Sequence, residues 1–104
     1  MLVIASLITS AFAVTRSQPA LADHRFKVTN RGEHTIAQVH ISGLSQSTYG
    51  PDLLGDHEYI EPGQSWSVTL TQGCVQDILI VYDDGHRAKD DGFDTCQYDL
   101  ATHY

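Results

Sequence analysis

The chain has 104 residues, a formal net charge of −7 and 41% hydrophobic residues, which leaves room for one small domain with a modest core. All 13 acidic residues lie after residue 22, whereas only six residues of the chain are Lys or Arg. This balance argues against binding to nucleic acid, whose phosphates need Lys and Arg, and against adhesion to anionic membranes. It favours cations and basic partners, although an acidic surface can also serve solubility alone.

The first 22 residues have the features of a signal peptide. Leu2 to Val14 is almost continuously apolar or small, Pro19 interrupts the segment, and Ala20-Leu21-Ala22 fits an A-x-A cleavage site. The segment is too short to form a permanent membrane span. It departs from the usual signal peptide in having no Lys or Arg near its start. We predict a signal peptide over residues 1–22 and a single domain over residues 23–104; an uncleaved anchor is the alternative.

Short strands separated by turns, without helical periodicity, are predicted over residues 23–104. Polar and apolar residues alternate over 25–29, 35–42 and 65–71. Ile36 is out of phase with the residues that follow it, which indicates a bulge. Each of these segments is expected to form a strand that turns one face towards the core.

Three further strands and several turns complete the pattern, and one of these strands is a short return strand near residues 86–89, after Asp84-Gly85. Residues 77–82 are apolar on both faces, so this strand is expected in the centre of the fold. Residues 61–64 fit a type II turn, and Asp84-Gly85 fits a two-residue hairpin connection. Asp91-Gly92 is expected to form another turn, followed by a last strand over 93–100. The inward face of that last strand is expected to carry Cys96, Tyr98 and Leu100.

This pattern predicts an all-β fold, a small antiparallel β-sandwich of the Ig-like or Greek-key type with five to seven short strands. A domain of this size gains much from a disulfide. Cys74 and Cys96 are the two cysteines of the chain, so one intramolecular disulfide is possible. A two-cysteine metal site and a redox pair are the alternatives, and the absence of C-x-x-C spacing disfavours both.

The acidic segment between residues 83 and 94 is a candidate metal site, because Ca²⁺ prefers carboxylate oxygens. Neither register around Gly85 or Gly92 fits an EF-hand loop. Cleavage after Ala22 would expose His24 as the second residue, where the amine and the imidazole could chelate Cu²⁺. The candidate ligands are Asp83, Asp84, Asp90, Asp91, Asp94 and His24. The alternative is a solvated hairpin, since Asp is common in turns and edge charges discourage aggregation.

No catalytic residue is predicted. Residues 43–47 lack the final Gly of a nucleophile elbow, and there is no phosphate-binding Gly loop or cofactor fingerprint. The six histidines show no H-x-x-x-H spacing, so a local zinc motif is absent from the sequence. We therefore expect no enzymatic activity and no cofactor other than a divalent cation.

Besides metal binding and catalysis, the remaining functional class is the binding of another protein. An acidic sandwich with exposed strand edges can recognise an extended peptide or a basic protein surface. Tyr49, Asp52 and Tyr59 are the candidate contact residues, whereas Tyr98 is expected in the core. After cleavage of the signal peptide no stable membrane insertion is expected, and the sequence does not indicate an oligomeric state.

Three blocks of the chain carry a resemblance to a known family. They are Val28-Thr29-Asn30 with Val39-His40-Ile41-Ser42, Tyr49-Gly50-Pro51-Asp52-Leu53-Leu54-Gly55 with Glu61-Pro62-Gly63-Gln64-Ser65, and Cys74-Val75-Gln76-Asp77-Ile78 with Asp83-Asp84-Gly85 and Asp94-Thr95-Cys96. Together they resemble a family of small exported bacterial β-sandwich proteins of unknown function. The resemblance implies a β-sandwich with Cys74 and Cys96 joined, a periplasmic or secreted location and no established catalytic residues. We expect a non-catalytic binding or envelope-associated module, with a Ca²⁺- or Cu²⁺-binding periplasmic protein as the alternative.

Overall fold

The computed structural model describes residues 23–44 and 48–104, so the predicted signal peptide over 1–22 lies outside the described residues. The strands are β1 (His24–Asn30), β2 (Ile36–Gly43), β3 (Ser65–Leu70), β4 (Val75–Tyr82), β5 (Arg87–Asp94) and β6 (Leu100–Thr102). They form two three-stranded sheets, one ordered β3-β1-β6 and the other β2-β4-β5. No helix in the described ranges is long and apolar enough to cross a membrane.

The predicted all-β sandwich is confirmed. β1 pairs antiparallel with β3, and β4 pairs antiparallel with both β2 and β5, which places β4 at the predicted central position. β1 and β6 run parallel, which departs from the antiparallel expectation. The first and last strands meet without a hairpin between them, so no short turn imposes an antiparallel direction.

The core lies between the two sheets and is supplied by the inward faces of the strands. Phe26 and Val28 of β1 and Ile78 of β4 are fully buried. Burial of each such side chain contributes roughly 1.5–3 kcal/mol to folding. Trp66 on β3 shares the predicted inward face but is only partly buried against this core. It therefore contributes less to the core than the alternation of β3 predicts.

Two local predictions at the ends of strands are confirmed. The β2–β4 pairing shifts register between Ile36 and Gln38, and this bulge lets Ile36 enter the core together with Val39. In the turn before β3, the N–H of Gln64 donates to the carbonyl of Glu61 at 2.9 Å.

The β4–β5 hairpin differs from the prediction in two ways. Its loop has three residues, 83–85, because the N–H of Tyr82 donates to the carbonyl of His86 at 2.9 Å. Asp91-Gly92 is not a turn, because both residues lie inside β5. Gly92 has a φ of 68° and sits in a bulge, where its N–H donates to the Asp77 carboxylate at 2.9 Å. Glycine adopts this left-handed conformation without steric cost, so a dipeptide typical of turns serves a bulge here.

The predicted strand over 93–100 is wrong. Phe93 belongs to β5, which ends at Asp94. A turn follows at residues 95–97, and β6 begins only at Leu100. Tyr98 is 62% exposed, so the expectation that it fills the core is also wrong. The Asp94 carboxylate accepts the backbone N–H groups of Cys96 and Gln97, which stabilises the turn and breaks the alternation that the sequence suggested.

The predicted disulfide between Cys74 and Cys96 is confirmed. The sulfur atoms are 2.07 Å apart and the Cα atoms 5.0 Å apart. The bond joins the residue before β4 to the turn after β5, next to the Val75–Asp94 pair. It therefore closes the open end of the β4–β5 hairpin, and no thiol in the described chain is free.

Asn30 is fully buried at the end of β1. Its side-chain amide donates to the carbonyls of His34 and Ile60, both at 2.8 Å, and its Oδ1 accepts the N–H of Gly32 at 3.0 Å. Because buried polar groups require partners, this set of bonds holds the β1–β2 loop against the segment before β3. The same loop carries His34, which belongs to the site described next.

Candidate functional site

An apolar groove runs between β5 of one sheet and β6 of the other. It is lined by Ile80, Tyr82, Ala88, Asp90 and residues 100–104, and its volume is about 350 Å³. Among the described strands, β5 pairs only with β4 and β6 only with β1. Each strand therefore keeps one side on which backbone N–H and C=O groups can pair with an added strand. We call this feature the β5–β6 groove.

Alternation along β5 places Asp90 on the groove side of the strand and its basic side chains on the opposite face. Ala88 and Asp90 pair with Ile80 and Ile78 and line or border the groove. Lys89 points to the opposite face, where its Nζ lies 5.8 Å from the ring centroid of Tyr49. Asp90 is the one carboxylate among the described groove-lining residues, and the basic side chains of β5 are not part of the lining.

One end of the groove meets a group of ionisable and aromatic side chains that we call the His–Tyr–Asp cluster. It consists of His34, Asp83, Asp84, His86 and Tyr104. The ring centroid of Tyr104 lies 4.4 Å from that of His34 and 3.9 Å from that of His86, with interplanar angles of 25° and 14°. Two nearly parallel rings cannot share one face at these distances without overlap, so the histidines stack on opposite faces of Tyr104.

Asp84 ties the cluster together. Its Oδ2 accepts the Tyr104 hydroxyl at 2.6 Å and lies 3.6 Å from Nδ1 of His34, and its Oδ1 accepts the N–H of His86 at 3.0 Å. The hydrogen bond from Tyr104, followed by that from the His86 N–H, lowers the pKa of Asp84 below its usual range. The same hydrogen bond to Asp84 raises the pKa of Tyr104. The hydrogen bond between Tyr104 and Asp84 holds Tyr104 on the β4–β5 loop.

Backbone contacts position Tyr104 from the other side. The carbonyl of Tyr104 accepts the N–H groups of Glu33 and His34 at 2.7 and 3.1 Å, and the carbonyl of Thr102 accepts the N–H of Arg31 at 2.8 Å. The parallel pairing of β6 with β1 thus continues into the β1–β2 loop. Because of this continuation, His34 and Tyr104, which are 70 residues apart in the numbering, stack on each other.

The structure separates the predicted metal ligands. Asp83 and Asp84 lie in the β4–β5 loop, Asp90 borders the groove, and Asp94 caps the turn at the far end of β5. Asp91 accepts the hydroxyl of Tyr49 at 2.7 Å on the outer face. The predicted carboxylates therefore spread from the β4–β5 loop to the far end of β5 instead of surrounding one point.

His24 lies far from the acidic loop, at the opposite end of the domain. Its Nε2 hydrogen-bonds with Oγ1 of Thr95 at 2.8 Å, next to the disulfide turn. Its Nδ1 is buried without a partner among the described residues. The fold thus holds this imidazole beside Thr95.

Two groups of potential ligand atoms converge in the described chain. His34, Asp83 and Asp84 place one ligand atom each within 4.8 Å of one another. Cys74, Asp94 and Cys96 also converge, but their sulfur atoms are joined in the disulfide and are not available as thiolates. His34 is the ligand that the sequence analysis missed, because no spacing rule links it to residues about 50 positions away.

The predicted contact residues have different surroundings. Tyr59 is 54% exposed. Asp52 accepts the N–H groups of Val39 and Leu54 at 3.0 Å each, so it fastens its loop to β2. Tyr49 is bonded to Asp91, and this hydrogen bond raises the pKa of Tyr49 to about 12. Asp52 and Tyr49 thus have structural partners within the chain.

Comparison with protein-family models, with curated proteins and with solved structures finds no match for this chain. The resemblance to small exported bacterial proteins therefore stays a prediction from the sequence.

Proposed function

We propose that this protein is a non-catalytic, exported binding module that holds an extended segment of a partner polypeptide in the β5–β6 groove. The observation that carries the proposal is the groove itself, an apolar depression flanked by two strands that each have a free edge. Main-chain pairing with such an edge supplies affinity, and the adjacent depression takes side chains of the added strand.

The chemistry of the ionisable groups supports binding rather than catalysis. The shifted pKa values of Tyr49, Asp84 and Tyr104 each have a Tyr–Asp hydrogen bond as their largest cause. Such pairs are satisfied by one another, whereas catalytic groups are usually poised towards an open substrate position. The disulfide and the predicted signal peptide support a periplasmic or secreted location, where disulfides persist.

A seven-residue peptide of alternating Thr and Val with Lys at its centre tests the proposal. We expect its addition to shift the amide resonances of β5 and β6 in the ¹⁵N-labelled protein. Ala88→Trp would fill the groove and should abolish these shifts, because Ala88 lines the groove and is half-buried on the inward face of β5. Ser67→Trp, at an exposed position of the opposite edge strand β3, is the matched control and should leave them intact. Shifts confined to β3, or no shifts at all, would contradict the proposal.

Metal binding is a second candidate, favoured by the convergence of His34 with Asp83 and Asp84. The 3.6 Å between Nδ1 of His34 and Oδ2 of Asp84 suits two ligand atoms that share one ion, because metal–ligand bonds to Zn²⁺ are about 2 Å long. An imidazole ligand favours Zn²⁺ or Cu²⁺ over Ca²⁺. This candidate differs from the predicted site, since it replaces the downstream carboxylates by a histidine from the β1–β2 loop.

Calorimetric titration with Zn²⁺, Cu²⁺ and Ca²⁺ tests the second candidate. We expect one equivalent of Zn²⁺ or Cu²⁺ to bind and to raise the melting temperature, because ligands of the native state stabilise it. His34→Ala should remove this binding, whereas His57→Ala, at an exposed loop position outside the cluster, should not. Equal binding by both variants would show that the ion is held elsewhere.

A further inference from the structure

We infer that the β5–β6 groove selects a segment that presents a Lys or Arg side chain, and that Asp90 binds the charged head of that side chain. The inference rests on the proposed function and names the chemistry of the partner. A neutral apolar segment would use the same groove without this contact. An acidic segment would meet repulsion there.

The lining matches both parts of a long basic side chain. Half-buried Ala88 offers an apolar surface for the methylene stem, and Ile80 and Leu100 lie in the buried part of the same lining. Asp90 lies at the side of the same groove and is exposed, so its carboxylate can accept hydrogen bonds from an ammonium or guanidinium group. The volume of about 350 Å³ leaves space for such a side chain beside an added strand.

The distribution of charge around the groove points to a cation. Asp83 and Asp84 lie in the β4–β5 loop, which contacts the end of the groove at Tyr104 through the hydrogen bond from Tyr104 to Asp84. Arg87 and Lys89 alternate with the groove-facing residues of β5 and are not among its lining. The chain as a whole has a net charge of −7, which draws basic partners and disfavours acidic ones. Besides Asp90, the ionisable side chains of the lining are His103 and two tyrosines.

Three peptides distinguish this inference from the general proposal. They share the alternating Thr–Val sequence and carry Lys, norleucine or Glu at the centre, so that norleucine keeps the stem of Lys without its charge. At pH 7.5 and low salt we expect the Lys peptide to bind the wild-type protein about fivefold more tightly than the norleucine peptide, as for a partly exposed ion pair. The Glu peptide should bind most weakly.

Asp90→Asn should remove the difference between the Lys and norleucine peptides while leaving norleucine binding unchanged. Asp56→Asn removes the same charge at an exposed loop position that does not line the groove and should preserve the difference. The ¹⁵N spectra of both variants show whether they remain folded.

Equal affinities for Lys and norleucine, or a preference for Lys that persists in Asp90→Asn, would overturn the inference and leave the proposed function standing. Absence of binding by all three peptides at the groove would overturn both. A preference that disappears in Asp90→Asn and persists in Asp56→Asn supports both.

Discussion

At the scale of single residues, Tyr49 shows how a surface hydrogen bond shifts the pKa of a side chain. Its hydroxyl donates to Asp91 at 2.7 Å, and this hydrogen bond is the largest cause of its raised pKa. The carboxylates of Asp91 and Asp77 add an unfavourable field for the phenolate, because like charges disfavour the ionised form. A loop residue chosen from the sequence as a contact residue is thus held on the outer face of β5.

We expect Tyr49 to titrate near pH 12 and Asp91→Asn to return its pKa towards the ordinary value of 10.0. A group whose pKa is higher in the folded than in the unfolded protein stabilises the folded state, and this stabilisation is complete below the unfolded pKa. The stabilisation by Tyr49 is therefore present below pH 10 and is lost as the pH rises to about 12. Tyrosine ¹³Cζ chemical shifts measure the titration.

Asp90→Asn is the matched control for this titration, since Asp90 contributes no cause to the shift of Tyr49. An unchanged pKa of Tyr49 in Asp91→Asn would show that the hydrogen bond is not responsible.

At the scale of elements, the β1–β2 loop and the segment after β6 are fitted to one another. The carbonyl of Tyr104 accepts two N–H groups of the loop. A Cβ atom on Gly32 would overlap the backbone of Tyr104, including its carbonyl oxygen. Glycine is needed here because of the close approach of two backbones. The same approach positions His34 and Tyr104 in the His–Tyr–Asp cluster.

Gly32→Ala should therefore destabilise the fold by about 1–3 kcal/mol, because the added methyl group has to displace backbone atoms. Urea unfolding measures the loss, and the ring resonances of Tyr104 report whether it leaves the histidines. Gly43→Ala is the matched control, since its Cβ would lie 3.8 Å from Oε1 of Gln72, an ordinary contact. Equal stability of the two variants would contradict the close fit.

At the scale of the whole molecule, the disulfide compensates for the small size of the sandwich. It closes the open end of the β4–β5 hairpin, whose β4 supplies much of the buried apolar surface. A cross-link that closes a loop of this length stabilises a fold by roughly 3 kcal/mol, because it restricts the unfolded chain. For a domain of this size that is a large share of the total stability.

Replacing both Cys74 and Cys96 by Ser should lower the free energy of unfolding by about 3 kcal/mol. Urea unfolding of the variant measures the loss, and the wild-type protein with a reducing agent should show a similar one. The reducing agent should not affect the variant itself. An unchanged unfolding midpoint in the absence of Cys74 and Cys96 would mean that the hairpin is stable without its covalent closure.

Elements with a local cause could be predicted from the order of the amino acids. Alternation marked β1, β2 and β3, the apolar run of 77–82 marked the central strand, and the two cysteines allowed a single pair. The bulge after Ile36 was visible too, because an apolar residue out of phase can reach the core only through an extra residue. The cysteine pair follows from the number of cysteines, and the other features depend on neighbours within a few positions of the chain.

Features that depend on distant residues became visible only in the folded chain. Asp91-Gly92 has the composition of a turn, yet its pairing with β4 keeps it inside a strand. The alternation over 93–100 was misleading because long-range contacts hold a turn there: the N–H of Thr95 donates to the carbonyl of Cys74 at 2.8 Å, and Cys96 is bonded to Cys74. His34, His86 and Tyr104 come together because β6 pairs in parallel with β1, and no local pattern encodes that register. The candidate site consists of such long-range contacts, so its residues could be named in advance only in part.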